Sequence, residues 1–152
     1  MEKRRINVRA IIWHDNRLLA VKHKTKDGGE ADYWAVPGGG LDPREALTNG
    51  ITRELLEETG IKAEIGTLLF MQQFISSRPS WDEELEFFYH ITNCKDFLDI
   101  DLTKTTHGDQ ELARIEFIDP KNEYILPRFL SEVDIAATIE SKAPTQLFNE
   151  LT

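Results

Sequence analysis

The 152-residue sequence predicts a single α/β domain over residues 1–152, and three observations carry that expectation. β-rich apolar runs lie on both sides of one strong helical pattern, and 40% of the residues are hydrophobic, enough for a continuous core. No repeat, low-complexity tract or linker divides the chain.

The elements follow in order. Asn7–Trp13 and Arg17–His23 are β-rich, and His14-Asp15-Asn16 between them supplies turn residues, so the pair reads as a hairpin. Lys24–Asp32 is polar and contains Gly28-Gly29, which predicts a loop. The short run Tyr33–Val36 then stops at Pro37 and three consecutive glycines, a point of backbone freedom. From Pro43 to Thr59 good helix formers recur at helical spacing, and Gly60 stands where a left-handed cap is expected. Ala63–Ile75 and Glu84–Thr92 read as a long antiparallel pair joined by the polar loop Ser76–Asp82. Asn93–Asp96 is a turn, and Phe97–Gln110 a long loop in which the alternation of Leu98, Ile100 and Leu102 allows a short strand. Leu112–Ile118 is a half-buried strand, Leu130–Ile139 a short amphipathic helix, and the last residues are expected to fray.

Composition narrows the function. With 27 acidic and 18 basic residues the formal net charge is −9, which repels long nucleic acids unless basic residues are concentrated locally. A small phosphorylated substrate is still compatible, because a divalent cation inverts the local sign. Cys94 is the only cysteine, so no intrachain disulfide and no Cys-rich zinc site can form, and a reducing, cytoplasmic setting is the simplest reading. The apolar run Ala10–Trp13 is broken by His14 and Asp15, too short for a signal peptide, and no stretch approaches a membrane span, so no membrane partner is expected. Nothing in the sequence specifies an oligomeric state.

The chemistry is concentrated on the predicted helix. At about 100° per residue, Leu47, Ile51 and Leu55 form one inward stripe, and Glu54 and Glu58 fall within roughly 60° of its centre. Glu57 adjoins both, so three carboxylates crowd the last turns. Like charges there oppose each other and the helix dipole, by about 0.2 to 0.5 kcal/mol per pair, so folding alone does not ask for them. A bare pair of helical glutamates is ordinarily a solvated face. A hard divalent cation reverses the interaction, since Mg²⁺ favours carboxylate oxygens and keeps waters that phosphates replace. The adjacent Gly38, Gly39 and Gly40 let backbone approach a ligand closely.

Gly39, five residues, Glu45, seven residues, then Arg53-Glu54-Leu55-Leu56-Glu57-Glu58-Thr59-Gly60-Ile61 resembles the complete Nudix box, GX5EX7REUXEEXGU, over 23 residues. The resemblance implies an α/β/α sandwich with a mixed β-sheet, and a Mg²⁺-dependent (or Mn²⁺-dependent) pyrophosphohydrolase that splits a phosphoanhydride of a small nucleotide. Glu57 and Glu58 would be principal metal ligands, Glu54 a ligand or general base, and Arg53 the residue orienting Glu54. Gly38 would offer its carbonyl to metal. Glu45 would support the metal site, although it stands roughly 180° from Glu54 on a regular helix. Relatives often take a catalytic Glu from a loop corresponding to His107–Glu111, which makes Glu111 a rival base. Phe74 and Arg78, with Trp81, lie where relatives stack a base or contact phosphate, and Asn122 is a candidate base contact, although Asp119–Asn122 is also an ordinary turn signal. A nucleoside triphosphate is the first substrate choice, and ADP-ribose or another nucleotide sugar the second. A non-catalytic binding module of the same fold is the reading from another class. The box departs from many relatives at Asp42 and Arg44, where they carry Glu and Gly, and Gly50 inside the helix suggests close packing.

Overall fold

The computed structural model describes residues 3–151. Strand β1 (Arg4–Ile11) leads through Ile12 into the two-residue strand β2 (Trp13–His14), which turns back as β3 (Arg17–His23). Asp15 and Asn16 both take positive φ, 51° and 60°, the geometry of a tight hairpin turn that matches strand twist. The hairpin expected over Asn7–Trp13 therefore exists only at β2 and β3. Ile11 and Ile12 are both fully buried but join different apolar cores, so the first run has two buried faces and belongs inside a sheet.

The glycine run is itself a strand, β4 (Gly38–Gly40), antiparallel to β1, whereas Tyr33–Val36 makes only isolated bridges, Ala35 to Val21 and Trp34 to Ile125. Helix α1 spans Leu47–Thr59 and ends at Gly60, φ 76°, whose N–H reaches Leu56 O as the cap requires. It starts four residues later than the sequence suggests because Arg44, φ 64°, cannot be helical. A non-glycine residue in this left-handed conformation costs about 1 to 2 kcal/mol. Arg44 is exposed, so Arg44→Gly is expected to gain about 0.5 to 1 kcal/mol after the entropy of the added glycine is deducted. A thermal melt reads this directly; an unchanged or lower midpoint would contradict it.

β5 (Ile65–Ile75) and β6 (Glu83–Ile91) form the expected antiparallel pair, with Ile75 opposite Glu83. Two single turns of 3₁₀ helix follow, Cys94–Phe97 and Leu102–Lys104, the second capped by Asp101. The possible strand over Leu98–Leu102 is not formed. The short helix α2 (Gly108–Glu111) precedes β7 (Leu112–Ile118). The single helix expected over Leu130–Ile139 is two, α3 (Phe129–Glu132) and α4 (Ile135–Glu140), because Asp134 leaves the helix and accepts from Ala137 N to cap the second. Gln146–Glu150, expected to fray, form β8, parallel to β5, and Phe148 stacks on Phe129 with centroids 4.0 Å apart.

One sheet runs β4-β1-β6-β5-β8 and the other β2-β3-β7. Strand alternation divides their residues between two cores. Val8, Ala10, Ile12 and Leu19 pack with Ile51 and Leu55 of α1, while Ile11, Leu18, Ala20, Phe70 and Phe88 pack with Phe129, Leu130 and Ile135 of α3 and α4. Both sheets thus make one central layer with helices on either face, a mixed α/β/α sandwich. Among the described residues no helix is long and apolar enough to cross a membrane.

Candidate active site

The inward stripe of α1 buries Ile51 and Leu55 completely and carries the carboxylates to the β4 edge. Gly50 faces Leu41 and Glu45; a Cβ there would stand 2.4 Å from Leu41 Cδ1, which is the close packing its place in a helix suggested. At Gly39 a Cβ would lie 2.7 to 2.8 Å from the Glu54 carboxylate, so a larger residue there would displace Glu54.

Arg53 organises the cluster. Its Nε and Nη2 donate to the two oxygens of Glu45 at 2.8 and 2.9 Å, Nη1 donates to Glu54 at 3.0 Å and to Glu57 at 3.4 Å, and Nη2 also reaches Gly40 O at 3.1 Å. The hydrogen bonds it donates to Glu45, then the charges of Glu54 and Glu45, hold the Arg53 pKa above its ordinary value against partial burial. Glu45 precedes the helix, so the angular estimate placing it opposite Glu54 does not apply. Both its oxygens are occupied by Arg53, and one also accepts from Asp42 N at 3.1 Å. The structure therefore places Glu45 as the anchor of Arg53 rather than as an open ligand.

Glu58 is only 2% exposed, and Gly38 N–H donates to it at 2.9 Å. Burial pushes its pKa up to about 8; the Gly38 bond opposes the shift, while the charges of Glu54 and Glu111 add to it. Burial likewise raises Glu54, partly offset by Arg53. Glu57 is more open, with His107 Nδ1 3.3 Å from its carboxylate. His107 N donates to Glu57 O, pinning the loop that carries Glu111 to the end of α1, and Lys24 N holds Glu111 O at 2.9 Å. Glu111 is thus close enough to Glu58 to affect it.

Arg9 was not legible as a site residue. Its side chain is largely buried and donates to Glu86 at 2.8 Å. Burial works against its charge, but Glu86, then Glu58 and Glu54, hold its pKa above the ordinary value. Alternation along β1 could have flagged it, since Arg5, Asn7 and Arg9 share a face with Ile11. Arg78 is exposed and 3.6 Å from Glu84, with Phe74 half-buried opposite Glu84. Trp81 is 37% exposed. Asn122 is not brought into the cluster's contacts: it is exposed and its amide donates to Asp119 at 2.8 Å, closing its own turn.

Among the described residues no three His, Cys, Asp or Glu side chains converge closely enough to chelate an ion as they stand. The donor chemistry nevertheless fits a hard divalent cation. Three carboxylates share one helix edge, two of them with pKa values raised by burial and mutual charge, and the Arg53 guanidinium already bridges Glu54 and Glu57 as a cation.

Comparison with known proteins agrees with this geometry. A 79-residue stretch is 30% identical to a putative 8-oxo-dGTP diphosphatase of Bacillus subtilis, covering 52% of this chain and 47% of that one. A 38-residue stretch is 47% identical to diphosphoinositol polyphosphate phosphohydrolase 3-alpha of Mus musculus, covering 25% of this chain and 23% of that one. The matches span less than half the length of these relatives. The fold is similar to a crystal structure of a UDP-X diphosphatase, with a TM-score of 0.68 at 20% identity over 97% of this chain and 68% of that one. The NUDIX domain model matches residues 3–134, and the chain belongs to the NUDIX domain family.

Proposed function

We propose that the chain is a divalent-metal-dependent pyrophosphohydrolase acting on a small nucleotide, with a nucleoside triphosphate as the preferred substrate, in a reducing, cytoplasmic setting. The observation that carries this is the Arg53-clamped cluster of Glu54, Glu57 and Glu58 beside the close backbone approach at Gly38 and Gly39. Mg²⁺ or Mn²⁺ held by Glu54, Glu57 and Glu58, with Gly38 O, would neutralise phosphate charge and lower the pKa of water. The protein's own part is positional. Arg53, fixed by Glu45 and Gly40 O, sets the carboxylates of Glu54 and Glu57. The loop holding Glu111 is tied to α1 through His107, so either Glu54 or Glu111 can take the proton of the attacking water. The similarity to a putative 8-oxo-dGTP diphosphatase supports a nucleotide substrate.

Chromatographic separation of the products from a panel of nucleoside triphosphates, ADP-ribose, dinucleoside polyphosphates and sugar nucleotides tests the reading: a nucleoside monophosphate with pyrophosphate from a triphosphate, or with a sugar phosphate from ADP-ribose or a sugar nucleotide. Turnover is expected with Mg²⁺ or Mn²⁺ and to vanish with EDTA; full activity after exhaustive chelation would refute it. The base is assigned by two variants. If Glu111 is the base, Glu111→Gln lowers kcat by roughly 10²-fold with metal affinity retained, whereas Glu54→Gln weakens both. An unchanged kcat in Glu111→Gln assigns the proton to Glu54.

A further inference from the structure

On the sheet face opposite α1, the register aligns side chains across three adjacent strands. Asn7 of β1, Glu86 of β6 and Gln72 of β5 form one row; Arg5, Glu84 and Phe74 form the next. The apolar core on this face ends one row away, at Phe88 and Phe70. Four of these side chains are polar and buried: Asn7 is 0% exposed, Gln72 and Glu84 4%, Glu86 5%. The carboxylates are well supplied. Glu84 accepts from Asn7 at 2.9 Å, Ser76 at 2.9 Å and Arg5 at 3.3 Å, and Glu86 from Arg9 at 2.8 Å and Asn7 at 3.4 Å. The amide oxygens are not. Asn7 Oδ1 and Gln72 Oε1 have no hydrogen-bond partner among the described residues. Because the Asn7 amide nitrogen donates to two carboxylates, flipping the group would set its oxygen against both, so the orientation is fixed by chemistry. A buried acceptor left unpaired is costly and calls for an explanation.

We propose that Asn7 and Gln72 determine substrate specificity, their amide oxygens accepting N–H groups from the base of the bound nucleotide. This rests on the nucleotide-hydrolase reading above. The chemistry selects the ligand class: ionised phosphate offers only acceptors, which neither satisfy two amide oxygens nor sit well beside Glu84 and Glu86. A base edge offers N–H donors. Guanine presents an imino and an amino donor side by side, hypoxanthine only the imino N–H, and adenine only an amino group on that edge, so two acceptors favour guanine. The position suits this role. Asn7 stands opposite Gly40, and Arg9, which bonds Glu86 of this row, stands opposite Gly38, whose N–H meets Glu58, so the row starts at the strand edge that carries the carboxylate cluster. Phe74, half-buried in the next row, offers a ring face for the base. Arg5, with one long bond to Glu84 and 20% exposure, is the flexible neighbour that can swing aside to admit it.

The test compares kcat/KM for GTP, ITP, ATP and a diphosphoinositol polyphosphate with Mg²⁺ present. In the wild-type protein GTP is expected to exceed ITP and ATP by about tenfold, the worth of roughly one hydrogen bond, and the inositol compound to be poorest. Gln72→Met, close in volume and without an acceptor, is expected to bring the GTP to ITP ratio towards one, and Gln72→Glu, which keeps acceptors, to preserve it. Asn7→Leu removes the acceptor left for the imino N–H that guanine and hypoxanthine share, so it should lower kcat/KM for GTP and ITP alike, by about tenfold; should it fail to melt cooperatively, the Gln72 pair and the wild-type ratios decide. Equal efficiencies for GTP, ITP and ATP, or ratios unmoved by Gln72→Met, would overturn the specificity assignment while leaving nucleotide hydrolysis intact, the oxygens then holding water alone. No hydrolysis of any nucleotide would overturn both readings.

Discussion

Glu58→Gln is expected to lower turnover by at least about a hundredfold while raising the melting temperature of the metal-free protein at pH 8. The first effect follows from loss of a ligand charge that offsets several kcal/mol of transition-state phosphate charge. The second follows from burial. The Glu58 carboxyl has its pKa pushed up to about 8 from an ordinary 4.5. Between those values the folded protein holds a proton that the unfolded chain has released, so the Glu58 contribution to stability falls as pH rises from about 4.5 and levels off above about 8. A bound divalent cation replaces that proton, so stabilisation by Mg²⁺ should grow over the same window. Melts in EDTA and in Mg²⁺ at pH 5.5, 7 and 8.5, on wild type and variant, measure both. Near wild-type turnover, or a stability difference between the two proteins that does not change with pH, would contradict the assignment.

Arg53→Ala is expected to lower kcat by roughly 10²-fold and to destabilise by about 1 to 3 kcal/mol, less than a fully buried pair because Arg53 remains 27% exposed. The variant strands Glu45 and Glu54, both largely buried, without their shared cation. Arg53→Lys should not restore activity: a single ammonium cannot donate to both oxygens of Glu45 and still reach Glu54 and Gly40 O. Kinetics, melts and metal titration of both variants distinguish the roles. If the lysine variant turned over like wild type, Arg53 would be acting only as a positive charge.

The helix, the long antiparallel pair and the carboxylate cluster were legible because each depends on local periodicity or on residues within one 23-residue motif. What was not legible is set by contacts distant in sequence. Asn7–Trp13 reads as a hairpin arm from its own residues, and only burial of Ile11 and Ile12 in different cores sends it between two sheets. The tail Gln146–Glu150 looks polar and terminal, yet Phe148 finds Phe129 and Phe70. Within the site, the pairing of Glu45 with Arg53 was not legible from a helical angle, because Glu45 lies outside the helix. The polar rows across β1, β5 and β6 were invisible because the β6 carboxylates lie 77 or more positions from their β1 hydrogen-bond partners.

The same central pairing, Arg4 opposite Glu83 through Ile11 opposite His90, has a kinetic consequence. Parallel strands separated by 79 residues close a large loop before they are rewarded, and such non-local pairing slows folding relative to locally connected folds. During synthesis from the N-terminus, β1 emerges long before β6 and has only β4 as a sheet neighbour. Helix α1 can form early from its own sequence, but Arg9 gains Glu86 only when β6 docks, and the segment His107–Glu111 reaches the end of α1 later still. The site is therefore assembled by a late, long-range event rather than by the motif that announces it.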